Sequence, residues 1–518
     1  MIAIRRKAAS MLAGLLGGLG TAVLFVGTAS AQAPAQPQRG GVLTVAFASD
    51  TKALDPAFSV NFSERQPLYL IYNTLLALKP DLTMAPELAE RWETSADGRK
   101  LTLYLRRGVK FHDGTDFDAA AAKFNLDRRL DPAVGSPHRA QLADIIASID
   151  APDAATLVIN LKKPSPSLLG MLAQREGFMA SPAGVQRHGK DFTTNPVGTG
   201  PFIFKEWTPG QRIVLVRNPN YWEAGKPYLD GVTFNDITNT VVGVQRLITG
   251  EADYISALSP IDIRQVETRR EIKLDPSAVG RWYGLQWQLD RAPFNDPKVR
   301  QAVAHAIDRK RIVDIVMNGK APVAEGLTPP ALWWHDVSLR APAYDPARAR
   351  ALLAEAGHAG GLKVALSNPQ INLLQQMNQL VQEQLKAVGI EVTLEPVAQS
   401  DWYPRLVQGA INFSPIRWSQ RPDPDGLFTI LLQSDGFANS TKYKSAEFDA
   451  ILEKARNTVP TAERQALYRE AERLMVRDLP YVSLFFSAEY AAMRTNVMNH
   501  VWIGDEIPRF RDVWKARN

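Results

Sequence analysis

At 518 residues the chain is too long for one hydrophobic core, and roughly 100–200 residues per domain divides it into about three domains. Hydrophobic residues at 45% and charged residues at 22% are the balance of a soluble globular protein and argue against a largely disordered one. The formal charge is +6; without Arg5, Arg6 and Lys7 near the start it is +3, and no Lys/Arg-rich run points to a nucleic-acid partner. The absence of cysteine excludes disulfides, thiol catalysis, thiolate metal sites and a lipid anchor after an export signal.

The start reads as an export signal. Arg5, Arg6 and Lys7 precede an apolar or small-residue run, Met11 to Thr28, and Ala29-Ser-Ala31 is a small-x-small cleavage site. Cleavage after Ala31 leaves a Gln/Pro-rich linker over 32–39. No other long apolar run follows, so the expected compartment is the periplasm, with the chain exported and not lipid-anchored.

Gly40–Phe47 alternates after two glycines and predicts a first strand; Leu101–Leu105 and Leu157–Leu161 predict two more. Asp97-Gly98, Asp113-Gly114 and Pro209-Gly210 mark turns. Asp296 and Pro297 open a helix with Val299, Val303, Ala306 and Ile307 on one face, and a second helix over Arg309–Met317 ends at Asn318-Gly319. Leu373 to Val388 carries an apolar stripe, Gly389 stops it, and Ile390–Leu394 reads as a strand. Leu467, Ala471, Leu474 and Met475 form a third stripe, closed by Pro480. Helix followed by strand at these intervals is an α/β layer, and the stripes read as core faces.

Motifs run through the chain in a fixed order. Leu54-Asp55-Pro56 comes first, then Glu87-Leu-Ala-Glu-Arg-Trp92 and Phe111-His-Asp-Gly114. Pro196-Val-Gly-Thr-Gly-Pro-Phe202 and Arg217-Asn-Pro-Asn-Tyr-Trp222 follow. Pro293-Phe-Asn-Asp-Pro-Lys-Val-Arg-Gln-Ala302 and Ala306-Ile-Asp-Arg309 close the series. With these motifs the chain resembles the family 5 periplasmic solute-binding proteins, the dipeptide, oligopeptide and nickel type that serves ABC importers. Most of the motif residues read as scaffold: Asp116 or Asp118 caps a helix over Ala119–Leu126, and Gly198 and Gly200 sit where a Cβ is disfavoured.

The resemblance implies an α/β fold of the two-lobed periplasmic binding protein kind (type II, cluster C), with an extra inserted domain and a ligand cleft between the lobes. Carried onto this chain, the first lobe comprises 40–73, 199–276 and 488–518; the insert is 74–198; the second lobe is 277–487. The crossings fall near 276 and 487. The resemblance implies a peptide or peptide-like solute as ligand. It also implies an ABC permease of two membrane subunits with two ATPase subunits as partner, and a monomeric binding protein.

Two segments carry the implied site. Ser59, Val60, Asn61 and Phe62 lie in the loop that runs beside the ligand backbone in relatives. Arg417, Trp418, Ser419, Gln420, Arg421 and Asp423 occupy the region that supplies an aromatic wall and an acid for the ligand's ammonium. Here the chain departs from the pattern: Arg421 stands where peptide binders carry the acid. An arginine fork suits a carboxylate or phosphate instead. Asp423 is the alternative amine acceptor. Trp287, Trp402 and Tyr403 line the cleft or brace the lobe, the latter two from a loop after the Glu391–Val397 strand. The plain alternatives are core packing for Trp418, a lobe-bridging place for Arg421, and capping of a Gly426–Leu432 helix by Asp423 and Asp425.

Rival chemistries find less support. There is no Gly-x-Ser-x-Gly elbow and no His-Glu-x-x-His pair, and His112 beside Asp113 is part of the scaffold motif. The seven histidines form no short-spaced pair for a metal, and nothing calls for a cofactor. Amino-acid–sugar conjugates and oligosaccharides remain the alternative ligands, and a secreted hydrolase the alternative class.

Overall fold

The computed structural model describes residues 36–517 except 48–50, 60–63, 238, 257, 278, 437 and 460. The expected export signal over 1–31, most of the linker, and Val60, Asn61 and Phe62 lie outside the described residues. All elements belong to the unit Gln38–Asn518.

The fold is two-lobed α/β with an inserted domain. The first lobe is built on a seven-stranded sheet gathered from distant parts of the chain. Its order is Ile272–Pro276, Tyr490–Arg494, Tyr254–Ile255, Val42–Phe47, Gly231–Asp236, Arg212–Arg217, Phe202–Thr208. Val42–Phe47, the predicted first strand, lies inside this sheet and runs parallel to both of its neighbours. The second lobe holds a three-stranded antiparallel sheet, Phe413–Trp418, Arg281–Trp287 and Tyr481–Ser487. Beside it lies the parallel pair Leu362–Pro369 and Ile390–Val397, with the helix Asn372–Lys386 between them in sequence. The insert is a four-stranded antiparallel sheet, Ala89–Thr94, Lys100–Leu105, Thr156–Leu161 and Ile146–Asp153, covered by the helix Ala119–Leu130.

Local chemistry explains the boundaries. Asp118, not Asp116, caps Ala119–Leu130, accepting from Ala121 N at 2.8 Å. Asp296 accepts from Lys298 N at 2.7 Å with Pro297 in the first turn of Pro297–Ala306. Gly389 stops its helix at φ +93°. Gly198 and Gly200 are glycines for a different reason. Neither has a positive φ; a Cβ would meet Ile71 O at 2.2 Å and Leu70 O at 2.3 Å. The constraint is close backbone approach to the helix Arg65–Ile71.

The chain passes between the two lobe sheets twice, after Pro276 and after Ser487, and the crossings are bonded to each other. Ser277 N donates to Glu489 O at 2.8 Å, and Glu489 N to Ser277 Oγ at 3.1 Å. A segment of the second lobe also reaches the insert: Leu332 and Trp334 are buried in the insert's core. Glu472, on the helix Thr461–Asp478, holds the root of that segment by accepting from Thr328 N at 2.8 Å.

The motif residues converge on one buried amide. Asn73 Nδ2 donates to Glu87 Oε1 at 2.5 Å and Tyr221 OH at 3.1 Å. Asn73 Oδ1 accepts from Thr199 Oγ1 and Trp222 Nε1, each at 3.1 Å. His112 joins the same region, with Nε2 3.0 Å from Gly200 O and Nδ1 accepting from Gly198 N. Burial pushes its pKa down to about 4, so the ring is neutral at pH 7.

Two predictions follow from this packing. Asn73→Ala leaves several buried partners without a hydrogen bond and is expected to cost about 3 kcal/mol or more, read by chemical unfolding; a loss below about 1 kcal/mol would place the joint's stability elsewhere. The second concerns pH. Burial raises the Glu472 pKa from 4.5 to about 7. The folded protein therefore binds this proton more tightly than the unfolded chain. That stability is complete below pH 4.5 and is lost as pH rises through 7. Relative to Glu472→Gln, the parent's unfolding temperature should fall across that window; a constant difference would contradict the assignment.

Candidate ligand-binding cleft

The strand Phe413–Trp418 pairs with Arg281–Trp287 and delivers Arg417 and Trp418 to the edge of its sheet. The loop that follows is held from behind. Asp423 clasps Arg464 with both oxygens at 2.7 Å and accepts from Asp425 N at 2.9 Å. Asp425 pairs with Arg456 at 3.1 Å. Pro422 packs over Gly170 of the insert. The loop's conformation is thus set by buried charge pairs on its far side, which leaves residues 417–421 facing open space.

That space is a cavity of about 310 Å³, lined by Arg417, Trp418, Ser419, Gln420 and Arg421. Facing them are Arg65 at the start of the helix Arg65–Ile71, Gln174 of the insert, Arg281 at the crossing and Asp505 of the C-terminal segment. Both lobes and the insert therefore contribute to one cavity. Its volume lies at the small end of the range for small-molecule sites.

The lining is strongly cationic. Arg281 is matched from behind by Glu489 at 3.1 Å and Glu506 at 3.4 Å. Asp505, the one acid in the lining, is matched by Arg509 at 2.7 Å. Among the described residues no carboxylate lies within ion-pairing distance of Arg417 or Arg421. Burial lowers the Arg421 pKa, and the guanidinium of Arg175 lowers it further. Burial and then Arg175 bring Arg65 down to about 10. Guanidiniums crowded in this way favour an anion between them. Trp418 Nε1 and Gln420 Oε1 are buried without a hydrogen-bond partner, while Gln420 Nε2 donates to Leu327 O at 3.1 Å. Both atoms are thus buried at the cavity wall without the partner that buried polar groups usually have.

The structure separates the expected site residues into two groups. Arg417 to Arg421 come together. Tyr403 stands beside them, 38% exposed, with its ring 5.9 Å from that of Trp418. The others are corrected. Trp402 and Tyr403 sit on a helix, Gln399–Val407, not in a loop. Neighbouring helical positions point about 100° apart, so Trp402 turns inward as Tyr403 turns out. Trp402 is buried and donates to Ser414 Oγ at 3.0 Å. Trp287 is core: it stacks on Phe294 and donates to Leu479 O at 2.8 Å. Asp423, expected as an amine acceptor, is paired with Arg464 and is not among the residues that line the cavity. Asp425 opens the helix Asp425–Leu432 and pairs with Arg456, which is anchoring more than capping. Ser59 is buried, its carbonyl 2.8 Å from His138 Nε2, and is not part of the cavity wall.

Sequence reading missed Arg65, Gln174, Arg281 and Asp505. Only Arg281 carried a local signal, its place just past the expected crossing. The other three are ordinary surface-type residues brought in by the fold. His112 and Asp113 have different partners, Asp113 accepting from Ser181 Oγ at 2.5 Å, so they make no dyad. A second cavity, about 280 Å³, lies near Tyr69, Asn73 and Arg511. The polar side chains there are matched within the protein, Glu87 with Arg511 at 3.0 Å, and among the described residues none of its lining atoms is buried without a partner. The first cavity is therefore the better candidate.

Because Asp423 supports the loop from outside the cavity, Asp423→Asn is expected to lower stability by about 3–5 kcal/mol through the orphaned Arg464. Any ligand that the folded variant binds should retain affinity within about threefold. A large affinity loss in a variant of unchanged stability would return Asp423 to the site.

Comparison with known proteins fits this geometry. The model of the bacterial extracellular solute-binding proteins, family 5 Middle, matches residues 83–439. The glutathione-binding protein GsiB of Shigella dysenteriae serotype 1 is 30% identical over 474 residues, covering 89% of this chain and 92% of that protein. Among solved structures, the periplasmic binding protein DppA from Helicobacter pylori in complex with the peptide STSA superposes with a TM-score of 0.77 at 27% identity, covering 93% of this chain and 99% of that one. AgaA from A. tumefaciens R10, in complex with agropinic acid, superposes with a TM-score of 0.74 at 27% identity, covering 92% and 99%. The chain belongs to family 5 of the bacterial extracellular solute-binding proteins.

Proposed function

We propose that this protein is the periplasmic binding component of an ABC importer for peptides or peptide-like solutes that carry a negative group. The observation that carries the reading is Arg421, which lines the interlobe cavity with no carboxylate in pairing distance among the described residues. It holds an anionic group of the ligand, and Trp418, flanked by Tyr403, packs on the apolar part. The relatives named for glutathione and for agropinic acid are consistent with acidic, peptide-like or conjugate ligands.

The protein performs no chemistry in this scheme. Solute enters an open form, and contacts from both lobes and the insert stabilise the closed form. A ligand shifts that balance only through contacts better made when closed. The crossings near 276 and 487 serve as hinges between a first lobe of 40–73, 199–276 and 488–518 and a second lobe of 277–487, with 74–198 inserted. The exported chain, cleaved after Ala31, acts as a monomer and delivers its load to a permease of two membrane subunits with two ATPase subunits.

A thermal-shift screen tests this, with di- to pentapeptides, acidic amino-acid conjugates, oligosaccharides and Ni²⁺ as the panel. A ligand at about 100 times its Kd adds about 2.7 kcal/mol to the folded state, a shift readily resolved. Stabilisation by acidic peptides or conjugates is expected; stabilisation by oligosaccharides or Ni²⁺ alone would overturn the reading. Arg421→Asp should weaken the stabilising ligand about tenfold or more, and unchanged affinity would remove Arg421 from the site.

A further inference from the structure

The wall of the cleft provides for more than one negative group. Of the four arginines in it, Arg281 is matched by Glu489 and Glu506, and Arg65 faces Asp505. Asp505 is itself matched by Arg509. Arg417 and Arg421 remain, at the two ends of one five-residue stretch that also carries the buried, unpartnered indole N–H of Trp418. Arg417 interacts with the phenol of Tyr283, and among the described residues it has no ion pair. Among the described residues no carboxylate lies within pairing distance of either one; Glu176, whose charge acts on Arg421, is shared with Arg175 at 3.9 Å and His138 at 3.7 Å.

Lobe closure withdraws both guanidiniums from water. A buried charge without a counter-charge is costly, and one carboxylate fills one guanidinium fork. A ligand with a single carboxylate would balance one arginine and trap the other. We infer that the cleft selects solutes bearing two separate anionic groups, one held at Arg421 and the other at Arg417, over peptides whose only anion is the terminal carboxylate. This rests on the cleft being the solute site proposed above. It adds a count of charges, and an assigned place for each, to that reading.

Isothermal titration of the purified protein tests the inference with matched pairs. Glutathione, which has two carboxylates, is set against its monoethyl ester; Ala-Ala-Glu is set against Ala-Ala-Gln. The protein has no cysteine, so the glutathione thiol has no partner for a mixed disulfide. Each is titrated into the parent, Arg417→Gln and Arg421→Gln, with circular dichroism confirming that the variants are folded. The expected result is that at least one diacid binds about tenfold or more tighter than its matched mono-acid. Each substitution should cost that diacid about tenfold or more, and the two losses should not both persist for the mono-acid. Mono-acids binding as tightly as diacids, with Arg417→Gln silent, would overturn the two-anion inference and leave the peptide reading standing. Absence of binding by every compound in the panel would overturn both.

Discussion

The buried amide of Asn73 is the constraint on which the joint between the first lobe and the insert depends. An amide side chain offers two donors and two acceptor lone pairs, and here all four are used, by Glu87, Tyr221, Thr199 and Trp222. These partners come from three of the ordered motifs, so residues far apart in sequence must arrive together for any one of them to be satisfied. Glu87 is in turn bonded to Arg511 in the last stretch of the chain. A half-made version of this network would leave several buried polar groups unpaired, and that penalty is why the arrangement is specified so tightly.

The cleft follows the opposite logic. Its supporting side is fully matched, with Asp423 on Arg464 and Asp425 on Arg456. On its open side, among the described residues, Arg417 and Arg421 have no carboxylate in pairing distance and Trp418 Nε1 has no acceptor. Satisfied pairs behind the loop fix the groups in front of it, so residues 417–421 are ordered before anything binds. The lobe crossings bring the same principle to Arg281. It is pinned by Glu489 and Glu506 on one side and faces the cavity on the other. Burial, and then the neighbouring Glu489, push the Glu506 carboxyl well above its ordinary range, so Glu489 is the main counter-charge behind Arg281 at neutral pH.

How far the sequence could be read varied with the range of the interactions. The helix opened by Asp296 and Pro297, the stop at Gly389, and the strand Val42–Phe47 depend on neighbours within a few positions, and each lies where its pattern predicts. The tryptophans did not yield to the same reasoning. Trp287, Trp402 and Trp418 look alike as residue types, yet two are core and one borders the cavity, because which side of a strand or helix faces a second element is set by packing. Asp423 also misled: beside a suspected site it looked available, and only the arrival of Arg464 from a helix forty-one positions on shows that it is committed.

The sequence by itself determined the class of the molecule, through motifs whose order and turn chemistry are local, and it singled out Arg421 by the kind of residue it is. The tertiary structure alone decided which residues surround Arg421. Arg65, Gln174, Arg281 and Asp505 come from both lobes and the insert, and their proximity is a product of sheet pairing and lobe crossing. Charge balance in a cavity is a sum over everything that surrounds it. No single stretch of chain contains that sum, which is why an arginine's identity was legible in the sequence and its surroundings were not.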